Sequence, residues 1–259
     1  MDLSQLHLTA TDDELIMLCH TDACRLLSGN LAGNRVVQIS TVAVIKFGIG
    51  VTKEEFANQY IAYQQLDPTI VRVPRAYRYI QRDSIGFIVM EFIQGRQINV
   101  DDIATYATKL NSILAHFSEH RSQVPGPFNG GQCRGIIWPD SEEIIFSKRQ
   151  DLEIWLNTRL RLGRVDETIN LGDFDLIMCH MDFVGRNILA LADGSLCVLD
   201  WAHAGYYPHF FERLVQDFAP SDRAFCSTLA RTCSPLSVLE EKVSRLVAKA
   251  CSNSQSYFL

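Results

Sequence analysis

The segment His180–Asn187 reads HMDFVGRN, and two short apolar runs follow it, one on each side of Asp193-Gly194. An Asp-Gly pair between such runs predicts a β-hairpin with a two-residue turn. Asn187 lies six residues before the turn and Asp200 six residues after it, so the two are predicted to face each other. Opposed residues have Cβ atoms ~5 Å apart, close enough for an amide and a carboxylate oxygen to share Mg²⁺. The hairpin therefore predicts a metal site at Asn187 and Asp200.

Asp182 lies just upstream of this predicted metal site, in the loop that enters the first strand. An Asp, then an Asn, then a second Asp across a short hairpin is the pattern that kinase-type enzymes use to transfer phosphoryl groups. The three residues together therefore indicate phosphoryl-transfer chemistry.

Length and composition set limits on the class of protein. A chain of 259 residues with 47% hydrophobic content can build one large domain or two small lobes. The net charge of −6 and the pI near 5.6 argue against a nucleic-acid-binding surface. No apolar run approaches membrane-spanning length, and the first ten residues do not resemble a signal peptide.

The cysteines indicate a reducing compartment. None forms a C-x-x-C pair or has zinc-site spacing with histidine, and several lie inside apolar runs, where a free thiol behaves as a small core residue. The eight are Cys19, Cys24, Cys133, Cys179, Cys197, Cys226, Cys233 and Cys251. We expect a soluble, cytoplasmic protein that contacts neither nucleic acid nor membrane, and a monomer.

The order of predicted elements indicates two parts. Strand patterns with one clear helix come first, and that helix begins at Thr52, an N-cap residue. Mostly helical patterns follow, interrupted by the hairpin. We predict an N-lobe over residues 1–90, a hinge over 91–95 and a C-lobe over 96–259, in which the long connection 121–142 is functional or mobile.

A family resemblance becomes specific at these motifs. The strings that carry it are Cys179–Asn187, Leu199-Asp200-Trp201, and Ala204-Gly205 through Pro208 to Glu212. Over residues 30–220 the chain resembles the aminoglycoside phosphotransferase and choline kinase-like family, and in particular its fungal kinase-like branch. Met181 departs from the pattern, because glycine is the residue most often seen there.

The resemblance implies a fold and an activity. It implies an α+β, bilobal, protein-kinase-like fold, with an antiparallel sheet and one helix in the N-lobe and a larger, mainly helical C-lobe. The family moves the γ-phosphate of ATP, with Mg²⁺, onto a hydroxyl of a small-molecule acceptor. The expected cofactors are therefore ATP and Mg²⁺, and the expected partner is a small-molecule hydroxyl acceptor.

The same resemblance implies roles for residues of the catalytic segment. Asp182 matches the catalytic aspartate, which accepts or orients the proton of the attacking hydroxyl. Asn187 and Asp200 match the metal ligands. Arg186 could reach the γ-phosphate as a charge clamp, and a salt bridge to a neighbouring helix is an equally open alternative.

Lys46 matches the strand lysine that binds the α- and β-phosphates, and its partner should be a glutamate on the helix that follows. Glu54 and Glu55 compete for this role. Glu55 occupies the position whose side chain commonly satisfies the N-cap amide. Glu54 shares a helical face with Ile61, seven residues later, so we predict Glu54 as the partner.

The hinge is predicted at Met90, Glu91, Phe92 and Ile93, whose backbone groups would hydrogen-bond adenine. No standard glycine-rich phosphate motif is present. A degenerate nucleotide-covering turn could form from residues 29–34, whereas Gly48 and Gly50 are expected to form the turn into the helix. This degeneracy keeps a second hypothesis open, a catalytically weak pseudokinase or kinase-like binding module. The sequence leaves the acceptor unidentified.

Overall fold

In a computed structural model, residues 5–21, 24–29, 33–218 and 222–256 are described, apart from the side chains of 216 and 217. The helices are α1 (Leu6–Thr9), α2 (Asp12–Leu18), α3 (Lys53–Gln65), α4 (Ile103–Phe117), α5 (Arg149–Leu162), α6 (Phe210–Phe218), α7 (Arg223–Ala230) and α8 (Val238–Ser256). The first strands are β1 (Arg25–Ser28), β2 (Arg35–Gln38), β3 (Ala43–Gly48), β4 (Ala76–Arg82), β5 (Ile85–Glu91) and β6 (Arg96–Gln97). The later strands are β7 (Arg121–Ser122), β8 (Leu176–Cys179), β9 (Ile188–Ala190), β10 (Leu196–Val198) and β11 (Gly205–Tyr207).

The chain divides into two compact units. The first contains Met1–Arg96 together with Ala190–Ala202, and the second contains Gln97–Leu189 together with His203–Leu259. The segment Ala190–Ala202 thus groups with the N-terminal part of the chain, a feature that the predicted linear order of lobe, hinge and lobe did not include. Among the described residues, no helix combines the length and the apolar composition needed to cross a bilayer.

The first unit is built on an antiparallel five-stranded sheet in the order β1-β2-β3-β5-β4. β3 is the central strand, and its residues 43–47 are all buried. Their β-branched and aromatic side chains suit a strand that is covered on both faces. Lys46 belongs to this strand and pairs in register with Ile88 of β5, so its ammonium group needs charged partners in the interior.

α3 begins where the sequence predicts. Thr52 is the N-cap, and its hydroxyl accepts a hydrogen bond from the backbone N–H of Glu55 at 3.2 Å. The buried face of α3 is mostly polar and follows the helical period, at Glu55, Asn58, Gln59 and Ala62. The inward face of this helix therefore carries hydrogen-bonding groups rather than an apolar stripe.

The turn at Asp193-Gly194 has three residues, not the predicted two. The N–H of Leu191 donates to the carbonyl of Ser195 at 3.0 Å, and the N–H of Gly194 donates to the carbonyl of Leu191 at 2.9 Å. Gly194 has a φ of 78°. These features define a three-residue hairpin loop that closes on a left-handed glycine.

This turn changes the predicted register by one residue. Asn187 lies in a 3-10 turn, Gly185–Asn187, before β9, and Asp200 lies beyond the end of β10 at Val198. The predicted opposition of Asn187 and Asp200 therefore does not follow from turn geometry, because strand pairing rules apply only inside the paired strands.

The second unit is mainly helical, with a small sheet in the order β11-β8-β7. Its core joins α5, α6 and α8 to β8 and β11, and it includes Leu156, Cys179, Phe211 and Val247. The long connection predicted over 121–142 is partly built into this core. Trp138 is only 4% exposed, and the N–H of Cys133 donates to the carbonyl of Ile144 at 2.8 Å.

Candidate active site

In the first unit, the lysine ammonium lies between two carboxylates. Lys46 Nζ is 2.6 Å from Glu55 Oε1 and 2.9 Å from Asp200 Oδ1. The Glu55 side chain is 1% exposed, the Lys46 side chain 10%, and the Asp200 side chain 39%. The cluster thus runs from a fully buried carboxylate, through the ammonium, to a carboxylate that solvent can reach.

Burial and charge act in opposite directions on this cluster. Burial alone would lower the pKa of Lys46, but the carboxylates of Glu55 and Asp200 outweigh it and hold that pKa above its ordinary value. Burial raises the pKa of Glu55 to about 7, although the Lys46 ammonium lowers it in part. Lys46 is therefore a fixed positive charge, which suits binding of a phosphate.

The predicted partner of Lys46, Glu54, is wrong. Glu55 contacts the ammonium, because the buried face of α3 is the one that contains Glu55 and Ala62. Ile61, whose face Glu54 shares, is only partly buried. The backbone N–H of Glu55 donates to the hydroxyl of the N-cap residue Thr52, and its carboxylate forms an ion pair with the Lys46 ammonium.

A second residue of α3 fixes the backbone next to Asp200. Asn58 is fully buried, and its Nδ2 donates to the carbonyl of Trp201 at 3.1 Å. The Trp201 indole N–H donates to the carbonyl of Val198 at 3.1 Å. Asp200 has a φ of 62°, a conformation that a non-glycine residue keeps only where its surroundings impose it. The two tryptophan hydrogen bonds bracket this strained residue.

The two predicted glycine turns meet at Asn34. Its Oδ1 accepts from the N–H of Gly50 at 3.2 Å. Gly48 has a φ of 155°, and a Cβ placed on it would lie 2.2 Å from Asn34 Oδ1, so only glycine fits there. Asn30 of the predicted nucleotide-covering turn lies outside the described residues.

The predicted hinge segment has two of its N–H groups already bonded inside the first unit. The N–H of Glu91 donates to the carbonyl of Arg75, and that of Phe92 donates to the carbonyl of Val42, both at 2.9 Å. The Glu91 carboxylate pairs with Arg72 at 2.8 Å. Met90 lies in β5, in register with Val44 of β3 and Ala76 of β4, so the backbone of the predicted hinge is partly bound within the sheet.

In the second unit, the Glu212 carboxylate of α6 binds the backbone of the predicted catalytic segment, His180–Asn187. The N–H of His180 donates to Glu212 Oε2 at 2.5 Å, and the N–H of Met181 donates to both carboxylate oxygens at 3.0 and 3.1 Å. Burial raises the pKa of Glu212 to about 7, although these amide hydrogen bonds lower it in part. Met181 has a φ of 63°, the left-handed conformation that explains why glycine is common at this position.

The side chains of the catalytic segment converge on Asp182. Asn187 Nδ2 donates to the carboxylate of Asp182 at 2.7 Å and to its carbonyl at 3.0 Å. Arg186 Nη2 lies 2.7 and 2.8 Å from the two carboxylate oxygens. Since the amide nitrogen of Asn187 is used in this way, its Oδ1 is the atom that a cation could bind.

Arg186 forms the helix salt bridge that the sequence left open. Its Nη1 pairs with Asp222, the N-cap residue of α7. The side chain of Asp222 is 15% exposed and that of Arg186 is 47% exposed. Arg186 therefore links Asp182 to the start of a helix, and the predicted contact with a γ-phosphate stays a prediction.

The residue types fit a metal that is held mainly by its substrate. The described part of the chain contains no group of three or more His, Cys, Asp and Glu residues that could hold a metal ion. Mg²⁺ commonly uses one or two protein oxygens together with phosphates and water. Asp200, in the first unit, and Asn187, in the second, each carry a hard oxygen donor of this kind.

Comparisons with known proteins agree with this chemistry. A family model described as the phosphotransferase enzyme family, APH, matches residues 23–213. The chain belongs to this phosphotransferase family. No protein of curated function matches its sequence.

Solved structures show the same fold at low sequence identity. A thermostable mutant of aminoglycoside phosphotransferase APH(4)-Ia, in its apo form, is 13% identical with a TM-score of 0.56, over 95% of this chain and 89% of that one. A ternary complex of an APH(4)-Ia mutant with AMP-PNP and hygromycin B gives 14% and 0.55, over 94% and 88%. The gentamicin complex of APH(2")-IIa gives 14% and 0.53, over 91% and 83%. The predicted α+β fold, with an antiparallel N-terminal sheet and a helical C-terminal part, is confirmed.

Sequence reasoning missed Asn58 and Asp222, and it gave Glu55 the wrong role. Glu55 and Asn58 are three positions apart and so share a face of α3, which is the only hint that the sequence gives. Because both are polar, this face lacks the apolar pattern from which a buried face is predicted. Asp222 gave a weaker signal, since an N-cap aspartate is ordinarily satisfied by its own helix.

Proposed function

We propose that the protein is an ATP- and Mg²⁺-dependent phosphotransferase that moves the γ-phosphate onto a hydroxyl of a small-molecule acceptor. The observation that carries the proposal is the buried Lys46 ammonium between Glu55 and Asp200. A buried lysine that two carboxylates keep charged is suited to a phosphate ligand, and it has little structural benefit over an apolar side chain. The family membership supplies the reaction class.

The proposed roles follow the chemistry of each side chain. Lys46 would bind the α- and β-phosphates, and the hinge segment Met90–Ile93 would contact adenine. Asp200 and Asn187 would each offer an oxygen to Mg²⁺, which neutralises phosphate charge when it is bound. These two assignments rest on residue type and family pattern.

Asp182 would accept or orient the proton of the acceptor hydroxyl. Its contacts with Asn187 and Arg186 fix the direction of the carboxylate, and Glu212 fixes the backbone before it. Arg186 would contribute positive charge near the transferred phosphoryl group. Positioning and charge are the main sources of rate enhancement in this chemistry.

The small-molecule class of acceptor is inferred from the relatives. Two of the neighbouring structures are complexes, one with hygromycin B and one with gentamicin. Turnover of a panel of hydroxylated metabolites and aminoglycosides with γ-labelled ATP would identify the acceptor.

Two measurements test the proposal. Thermal unfolding with ATP or ADP should show stabilisation that requires Mg²⁺. Asp182→Ala should retain that stabilisation and lose turnover by about 10²- to 10⁴-fold, the usual contribution of a proton-transfer residue. Asp166→Ala, at an exposed position of the second unit, is the matched control. Unchanged turnover in Asp182→Ala would contradict the role proposed for Asp182.

A further inference from the structure

A cavity of about 500 Å³ lies in the second unit, between α4, β8, α6 and the segment after α7. Its floor is apolar, with Phe117, Met178 and Leu229 each 1% exposed. The volume is within the ~300–1,000 Å³ typical of small-molecule sites. Glu212 lines the cavity, whereas Asp182, Arg186 and Asn187 do not, so it is distinct from the proposed reacting groups.

One cation in the lining has an unused hydrogen-bond donor. Arg213 Nη1 is buried and has no hydrogen-bond partner among the residues that the structure describes. A guanidinium group is always charged, and leaving one of its donors buried and unpaired is costly. The neighbouring carboxylate of Glu212 is already occupied by the amides of His180 and Met181. Among the residues that the structure describes, no carboxylate is therefore paired with Arg213 Nη1.

The cavity has an accessible rim. Thr232, Ser234 and Pro235 line it and are exposed. Asn111 of α4 holds this rim, because its Nδ2 donates to the carbonyl of Thr232 at 3.0 Å. A ligand can therefore enter from solvent beside a segment that is fixed to α4.

We propose that this cavity binds a small amphipathic carboxylate, with its apolar chain on the floor formed by Phe117, Met178 and Leu229 and its carboxylate on Arg213. Arg213 is the only arginine or lysine among the described lining residues, so its charge matches one negative charge. A carboxylate can accept two parallel hydrogen bonds from a guanidinium group. The apolar floor offers nothing to a multiply charged phosphate. The site is thus of a different chemical class from the proposed nucleotide site.

Titration calorimetry with sodium octanoate, below its micelle-forming concentration, tests the proposal. The wild-type protein should bind octanoate saturably and bind 1-octanol more weakly. Arg213→Met should weaken octanoate binding by about tenfold or more, the effect expected for loss of a charge-assisted hydrogen bond, and leave 1-octanol binding nearly unchanged. Arg245→Met, at an exposed position on α8, is the matched control and should bind octanoate normally.

A second variant, Ala230→Trp, tests the same cavity without removing Arg213, so the test does not depend on the folding of Arg213→Met alone. Ala230→Trp places a bulky side chain in the cavity from a partly buried position, and it should abolish binding of both ligands. Absence of saturable octanoate binding by the wild-type protein would overturn the proposal. Octanoate binding that survives both Arg213→Met and Ala230→Trp would also overturn it, because the ligand would then lie elsewhere.

Discussion

Replacing Glu55 by Gln tests whether the buried carboxylate on α3 positions Lys46 for nucleotide. Glutamine keeps the shape and can still accept a hydrogen bond from the ammonium, so the change removes mainly charge. Both side chains are nearly inaccessible to solvent, at 1% and 10% exposure, so water screens the pair little. A hydrogen bond to a charged partner is worth roughly 1–2 kcal/mol more than a neutral one. We therefore expect binding of Mg·ATP to weaken by about 5- to 30-fold.

The assay is titration calorimetry with Mg·ATP at pH 8 and at pH 6. Burial raises the pKa of Glu55 to about 7, so the wild-type carboxylate is charged at pH 8 and largely protonated at pH 6. The difference between wild type and Glu55→Gln should be large at pH 8 and should shrink at pH 6.

Glu54→Gln is the matched control, since it removes the same charge from the adjacent position of α3. This variant should bind Mg·ATP within about twofold of wild type, because surface charges contribute little. Equal affinity of wild type and Glu55→Gln at pH 8, or a larger loss in Glu54→Gln, would refute the reasoning.

Three further predictions concern the supports of the site. Asn58→Leu should lower the free energy of unfolding by about 1–3 kcal/mol in denaturant titrations, because the Trp201 carbonyl loses its donor; an unchanged midpoint would contradict this. Gly185→Ala should cost about 1–3 kcal/mol in the same measurement, because its Cβ would lie 2.5 Å from the Ile98 carbonyl; a stable variant would show that the backbone yields. Folding raises the pKa of Glu212 from 4.5 to about 7, so this group stabilises the fold below pH 4.5 and loses that contribution as pH rises through 7. Glu212→Gln should therefore flatten the fall in the free energy of unfolding between pH 5 and 8. A fall as steep as in wild type would exclude Glu212 as its cause.

Local signals in the sequence were reliable where the chemistry is local. The Thr52 N-cap correctly predicted the start of α3, and in the structure a capping box of Thr11 and Glu14 starts α2 in the same way. Each depends on a hydrogen bond between residues three apart, so nearby sequence is sufficient. The Asp193-Gly194 turn was located correctly, but its length was wrong, because the same dipeptide suits both two- and three-residue loops.

The partner of Lys46 could not be chosen from the sequence. Glu54 and Glu55 are adjacent on α3 and chemically identical, and only the packing of the helix on the sheet decides which faces inward. The inward face is marked by Glu55, Asn58 and Gln59, polar residues that carry no hydrophobic period. Tertiary contacts selected the face, and local propensity did not.

By itself, the sequence determined the reaction class. The motif consists of Lys46 far upstream, followed by Asp182, Asn187 and Asp200. It depends on residue type and order along the chain, so an error of one residue in the predicted strand register does not change it. Only the tertiary structure decided which groups hold these side chains in place, namely Glu55 on Lys46, Glu212 beneath the catalytic segment and Asp222 on Arg186. Such partners are more than 30 residues apart in the last two cases, and distant pairing of charges is fixed by packing rather than by any sequence period.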